Sequence, residues 1–196
     1  MSTFKIEGKF DFTVLFNLED QIYSICKPLN KSLKITYFHH CRMFADDSHF
    51  SLSTNAPWLK YFYETFFSYI ATFENNPQQC FNQITIWKVL HDQYSEKLYR
   101  KFSEKYDTDH GITITRRQKD FCDFYHFGTT PNNCGAENIY LNNLPILKNF
   151  LFYYHERANK LIQIASRHKT FIPKERGKIW TQSKKEAQNN SLSFSA

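Results

Sequence analysis

The stretch GITITRRQKDFCDFYHFGTT, Gly111 to Thr130, decides how this chain folds. Ile112 and Ile114 alternate with Thr113 and Thr115, a turn falls around Arg117 to Asp120, and Phe121 to Gly128 runs back. On the returning strand Phe121, Asp123, Tyr125 and Phe127 point one way, and Cys122, Phe124 and His126 the other. Both sets are largely apolar, so this hairpin is expected to be covered on both sides, by helices or by a ligand. That places it centrally in a sheet.

Basic groups interleaved with rings also suggest nucleic-acid binding, with phosphates on Arg116, Arg117 and Lys119 and bases on the aromatics. An RNA-recognition strand would carry glycines between its aromatics, whereas RRQKDFCDFYHF interposes Asp120 and Asp123, which repel phosphates. The location of the net charge agrees. From Lys169 onward six basic residues face two acidic ones, so +4 of the chain's +6 lies in the last stretch. No direct nucleic-acid binding by the folded domain is expected.

Working outward, Leu18, Ile22, Ile25, Cys26, Leu29 and Leu33 recur at helical spacing, which predicts a helix from about Leu18 to Leu33 with Asn17 as N-cap and a kink or early end at Pro28. KITYFHHCRMF then alternates, ADDS turns, and HFSLST returns as a second hairpin. TNAPWLKYFYETFFSYI predicts a helix capped by Thr54 or Asn55 with Pro57 in its first turn. ENNPQQ reads as a loop; FNQITIWKVL fits either a strand or a buried helix. DQYSEKLYRKFSEKYD carries Tyr94, Leu98, Phe102 and Tyr106 in one helical stripe. After the polar loop TTPNNCGAEN, Leu147, Leu151, Tyr154, Ala158, Leu161, Ile162 and Ala165 predict a helix over Leu144 to Arg167, about 36 Å long at 1.5 Å per residue.

Helices interleaved with hairpins give an α+β fold: a central antiparallel sheet flanked by helices, closed by a long C-terminal helix. A length of 196 residues suits one domain, 1–168, followed by a basic, polar, disordered tail, 169–196. No stretch reaches the roughly 20 apolar residues that span a bilayer, and no leader precedes the five widely spaced cysteines. A cytoplasmic protein with reduced thiols and no membrane contact is expected.

With 20 Phe and 12 Tyr, the interior is aromatic. Trp58, Tyr61, Phe62, Phe66 and Trp87 suit a mostly apolar cavity whose polar groups are Tyr37, His39 and Tyr61; the same residue types also build an ordinary core. Phe121, Asp123 and Tyr125 join this candidate ligand-binding set from the central hairpin. Neither a metal nor a cofactor is expected. His39 and Cys41 face away from His40, and Cys122 and His126 lie about 13 Å apart along a strand, too far for one ion. With five glycines and no nucleophile elbow, phosphate loop or HExxH, no catalytic residue is assigned. A histidine or cysteine enzyme built on His39, His126 and Cys122 stays as an alternative.

The run ITYFHHCRMFADDSHFSLSTNAPWLKYFYE, together with HGITITRRQKDFCDFYHFGTT and the long helix after it, resembles the N-terminal sensor domain of LuxR-type transcription regulators, over about residues 15 to 167. The resemblance implies a PAS- or GAF-like sheet whose concave face, closed by helices, holds a small, partly apolar ligand. In the family's acyl-homoserine-lactone receptors that ligand is read by tryptophan, tyrosine and aspartate. Trp58, Tyr61 and Trp87 correspond by character, and the aspartate segment has no match. Family members continue into a DNA-binding helix-turn-helix, a pattern that nothing beyond Ile172 carries. The leading expectation is therefore a non-enzymatic sensor domain without that output domain, dimerising through Leu144 to Arg167. A protein-interaction module or secreted bacterial factor whose aromatics serve only as core is the alternative.

Overall fold

A computed structural model describes residues 12–46, 48–65, 80–87 and 93–171. The first helix, α1, covers Thr13–Leu33 and buries Leu15, Leu18, Ile22, Cys26, Leu29 and Leu33. It starts before the expected cap: Phe12 precedes it with no side-chain cap, and Asn17 is an exposed residue inside it. Pro28 does not end it. The proline is exposed, so the carbonyl it leaves without a partner one turn earlier faces water, while Ser32 Oγ donates back to Pro28 O at 2.8 Å. The helix closes at Lys34, whose left-handed backbone (φ 57°) lets its N–H reach Asn30 O.

The first hairpin is β1 (Tyr37–Phe44) and β2 (Ser48–Ser53), with Asp46 accepting the Ser48 N–H at 3.0 Å in the turn. Helix α2 (Ala56–Thr65) begins as the sequence predicts. Asn55 Oδ1 takes the Trp58 N–H at 3.0 Å, and Glu19 of α1 adds a carboxylate to the Ala56 N–H at 2.8 Å. The ambiguous FNQITIWKVL contains strand β3 (Gln83–Ile86), and α3 follows over Gln93–Tyr106. Strands β4 (Asp109–Arg117) and β5 (Phe121–Thr129) form the hairpin of the opening stretch. A short helix, α4 (Ala136–Asn142), takes up the end of the expected polar loop, and α5 covers Leu144–Arg167 as predicted, burying all seven of the residues named for it and Phe150. Thr170–Phe171 form β6, which pairs with Ser48 and His49 of β2, so the sheet takes in the start of the segment expected as a tail. Phe66, the loop read at ENNPQQ and the chain after Phe171 lie outside the described residues.

The described strands form one antiparallel sheet in the order β3-β4-β5-β1-β2-β6, so the opening stretch is interior to it. Its register sets His39 beside His126 and Arg42 beside Asp123. One face, with Phe38, Phe50, Leu52, Ile112, Ile114, Tyr125 and Phe127, packs under α1, α4 and α5. The other meets α2 and α3 through Tyr37, Trp58, Leu59, Tyr63, Trp87 and Phe102. The fold is α+β, with both sheet faces covered.

Candidate functional site

Strand parity divides the ten candidate ligand residues between the two faces. Phe121, Asp123 and Tyr125 turn toward α5; Tyr37, His39, Trp58, Tyr61, Phe62 and Trp87 gather under α2 and α3; Phe66 lies outside the described residues. The two groups cannot form one pocket, because the sheet lies between them.

Under α5, Asp123 is the centre of a buried network that the sequence did not reveal. Its Oδ1 accepts from His40 Nε2 at 2.9 Å and Arg42 Nε at 2.6 Å. Its Oδ2 accepts from an Arg42 terminal nitrogen at 2.9 Å and from Tyr125 O–H at 3.0 Å. Four donors fill the roughly four acceptor positions of a carboxylate. Burial works against the charge, but the bonds from His40 and Arg42 outweigh it and hold the Asp123 carboxyl well below the usual range. With its Nε2–H given to Asp123, neutral His40 accepts at Nδ1 from Tyr154 O–H (3.1 Å), and burial keeps its pKa lowered. His155 Nε2 lies 2.5 Å from the Tyr125 oxygen and, burial being the main cause, has its pKa lowered to about 4. The Arg42 guanidinium also lies over the Phe121 ring, 3.9 Å from its centroid. Of the ten candidates, then, these three belong to a network that ties β1, β5 and α5 together.

The opposite face is built differently. Trp58 stacks on Phe102 with centroids 4.1 Å apart and planes 12° apart, flanked by Tyr61 and Phe62 from its own helix. Tyr37 meets Phe102 edge-on at 4.9 Å, and Trp87 packs against both Tyr99 and Phe102 of α3. A bulge in β4 between Asp109 and Ile112, where His110 takes φ 45°, precedes Gly111. A Cβ on Gly111 would stand 2.0 Å from Trp87 Cε3, so the indole lies flat on bare backbone.

Across these rings runs a stripe of hydrogen bonds. Trp87 Nε1–H donates to Thr113 Oγ1 at 2.8 Å, and Thr113 lies 2.9 Å from His126 Nδ1. His126 stacks on His39 at 4.9 Å and 16°. His39 Nε2 faces Ser51 Oγ at 3.0 Å, Ser51 reaches Tyr63 O–H at 2.6 Å, and Tyr63 meets His49 Nε2 at 3.1 Å. Burial first, then the neighbouring His126, His40 and His49, hold the His39 pKa well below its ordinary value. Ser51, His49 and Tyr63 also line a cleft of about 40 Å³ beneath the start of α1. A larger crevice of about 230 Å³ lies between α1 and the start of β1, lined among others by Lys27, Asn30, Lys31 and Tyr37. The sequence reading found the aromatic residues and His39 of this face but missed Ser51, Tyr63 and Thr113; only the strand register shows that they share a line. Among the described residues, no group of three or more His, Cys, Asp or Glu is placed to hold a metal ion, and no helix is long and apolar enough to cross a membrane.

The expectation of reduced thiols is corrected at two of the five cysteines. Cys80 and Cys122 are joined by a disulfide, because the chain entering β3 folds over the end of β4 onto the face where Cys122 points. Cys26, Cys41 and Cys134 form no disulfide among the described residues.

The chain matches no protein-family model and no curated protein. Solved structures of similar shape include SdiA of Escherichia coli, with a TM-score of 0.48 and 12% identity over 74% of this chain and 63% of that one. They also include SdiA in complex with octanoyl-rac-glycerol, with a TM-score of 0.43 and 14% identity over 64% of this chain and 56% of that one. The chain thus spans about three fifths of the length of the SdiA chains it matches.

Proposed function

We propose that this chain is a ligand-sensing regulatory domain of the LuxR type, without enzymatic activity, that holds a small, partly apolar molecule against the sheet face under α2 and α3. One observation carries the proposal: the stripe from Trp87 through Thr113, His126, His39 and Ser51 to Tyr63 crosses an otherwise aromatic surface. A mostly apolar lining with a few convergent polar groups is the composition of a small-molecule site. The rings of Trp58, Trp87, Tyr61 and Phe62 supply contact area for the apolar part. The hydroxyls of Ser51 and Tyr63 and the neutral imidazole of His39 supply both donors and acceptors for a polar head. Acyl-transfer chemistry fits the face less well, because the imidazole of His39 that meets Ser51 is buried beside three further imidazoles, and both burial and these neighbours oppose its taking up a proton. The same reading assigns the domain a PAS-like architecture and a cytoplasmic location. It also assigns a homodimer through α5, whose outward side carries Ile146, Phe152, Tyr153 and Ile164.

Native mass spectrometry of the freshly purified chain, and tryptophan emission during titration with octanoyl-rac-glycerol, the molecule held by SdiA in one of the compared structures, test the site. A retained small molecule, or a saturable emission change that His39→Ala weakens about tenfold, is the expected result. A wild-type chain that retains nothing and gives no saturable response refutes the site. Sedimentation reads the dimer in the same samples, and a monomer at every concentration refutes that part alone.

A further inference from the structure

Three of the five cysteines meet in one buried cluster. Cys41, Met43, Cys122 and Phe124 pack together at the end of the sheet, and Cys80 lies against them. Cys122 is wholly buried on β5, Cys80 is half-buried just ahead of β3, and their disulfide joins Cα atoms 6.6 Å apart across 42 residues of chain. Since β4 lies between β3 and β5, this link passes over a strand and ties the sheet's edge to its interior. Arg117 reinforces the crossing: its backbone N–H donates to Asn82 Oδ1 at 2.8 Å and its guanidinium to Cys80 O at 3.0 Å. The hairpin arginine that the sequence offered to phosphate is therefore engaged with the chain leading into β3.

The tether acts on a short strand at one side of the described sheet. Strand β3 is four residues long, pairs among the described strands with β4 alone and exposes Ile84, yet it runs directly into Trp87 at the end of the polar stripe. We propose that Cys80 and Cys122 form a reversible thiol–disulfide pair whose oxidation state sets how firmly β3, and with it Trp87, is held on the sheet. The pairing rests on the juxtaposition of the two cysteines, and its consequence for ligand binding rests on the site proposed above. In a reducing compartment a protein disulfide is typically transient and redox-sensing, which fits one that lies beside a third thiol, Cys41, and has one half-buried sulfur.

Reduction begins at that half-buried sulfur. One thiolate of a dithiol reductant attacks Cys80 Sγ, the bond to Cys122 Sγ breaks, and Cys122 leaves as a thiolate and takes a proton. The reductant's second thiolate then attacks its own sulfur in the mixed disulfide and releases Cys80. Two electrons pass to the protein, and the dithiol becomes a disulfide.

The test uses the full chain purified in air, alkylated with N-ethylmaleimide before or after dithiothreitol and mapped by mass spectrometry, with amide hydrogen exchange measured on both forms. Cys134, which is exposed, takes label at once, whereas Cys80 takes it only after reduction and the buried Cys122 only after reduction and unfolding in urea. Exchange across Gln83–Ile86 rises at least tenfold on reduction, and Cys80→Ser in air exchanges like reduced wild type. Label on Cys80 without reductant overturns the pair. Equal β3 exchange in oxidised, reduced and Cys80→Ser protein overturns its control of the strand. If Cys80→Ser does not fold, reduction of wild type decides alone. A chain that passes these measurements but binds no ligand refutes the ligand site and leaves the thiol pair standing.

Discussion

Replacing Gly111 with alanine would put a methyl carbon 2.0 Å from Trp87 Cε3, 2.1 Å from Cδ2 and 2.3 Å from Cε2. Ordinary carbon contacts begin near 3.4 Å, so the indole must retreat by about 1.5 Å. The clash is with a buried ring packed against Tyr99 and Phe102, which must give way with it. A retreat of that size also breaks the 2.8 Å bond from Trp87 Nε1 to Thr113 and strands the indole N–H away from water, while Thr113 keeps His126 Nδ1. Overpacking costs about 1–3 kcal/mol and a lost buried hydrogen bond about 1–3 kcal/mol. Because one movement causes both, we expect about 3 kcal/mol, against a total stability of about 5–15 kcal/mol for a domain. That lowers the melting temperature by about 6–12 °C. Gly128 lies at the other end of the indole, where an added Cβ would meet Thr108 Cγ2 at 3.0 Å and Trp87 Cη2 at 3.3 Å, so Gly128→Ala should cost less, about 1 kcal/mol.

Urea unfolding followed by circular dichroism and tryptophan emission reads both variants, and the tryptophan signal of Gly111→Ala should shift to the red in the folded state. A double-mutant cycle isolates the cause, since with Trp87 already replaced by alanine the Gly111→Ala change should cost almost nothing. A Gly111→Ala penalty below about 1 kcal/mol, or one of equal size with and without Trp87, would refute the ring-on-glycine account.

Asp123→Asn removes the charge that Arg42 and His40 were built around, leaving a mostly buried guanidinium without its counter-ion. We expect a loss of about 3–5 kcal/mol by urea unfolding, and a loss under 1 kcal/mol would mean that the network does not hold the strands. Acid should weaken the fold well before the carboxylates titrate. His39, His40 and His155 all have folded-state pKa values lowered from 6.5, so the unfolded chain binds more protons between the two values and stability rises with pH through that window. Their contribution is complete above about pH 6.5 and falls away on acidification, down to about 4 for His155, with a slope of up to about 1.4 kcal/mol per pH unit for each histidine. Asp123, depressed instead, contributes above the ordinary aspartate value of about 3.9 and is lost only as pH falls below it. A urea midpoint that stays constant from pH 7.5 to 5 would contradict the neutral histidines.

Periodicity carried most of the fold. The alternation in KITYFHHCRMF and GITITRRQKDFCDFYHFGTT and the helical spacing of Leu147 to Ala165 are local signals, and the structure follows them. The misses come from context. Asn17 has the chemistry of an N-cap, but Leu15 is buried two residues earlier, so packing extends the helix past it. Pro28 reads as a breaker only if its orphaned carbonyl is buried, and sequence does not say which side of a helix meets water. β3 is too short for its period to be read, because Ile84 and Ile86 fit a strand or a helix equally. The site was less legible than the fold. Residue type identified the aromatics, but the assignment of Asp123 to one face and His126 to the other acquires meaning only from the pairing of β1 with β5, a contact between residues some 80 positions apart.

The two faces differ in what a ligand would have to displace. Asp123 is ionised and saturated, so a ligand approaching it must break a charge-assisted bond from Arg42 or His40 and leave a buried charge short of a partner. Under α2 and α3 the bonds of Ser51, Tyr63 and Thr113 run between neutral hydroxyls and imidazole or indole nitrogens, and such bonds exchange for those of a ligand at nearly zero net cost. The apolar walls differ as well. Phe38, Phe127 and Tyr154 interlock beneath a helix running from Leu144 to Arg167, whereas Trp87 follows a four-residue strand and packs against Tyr99 and Phe102 of α3, with Trp58 of the ten-residue α2 beside them. Opening the first face means lifting α5 from the core; opening the second means moving Trp87 off two glycines. Of the two sets of candidate residues, only the one around His39 combines exchangeable polar partners with a wall that opens without lifting α5, which is why the recognition site is proposed there and not at Asp123.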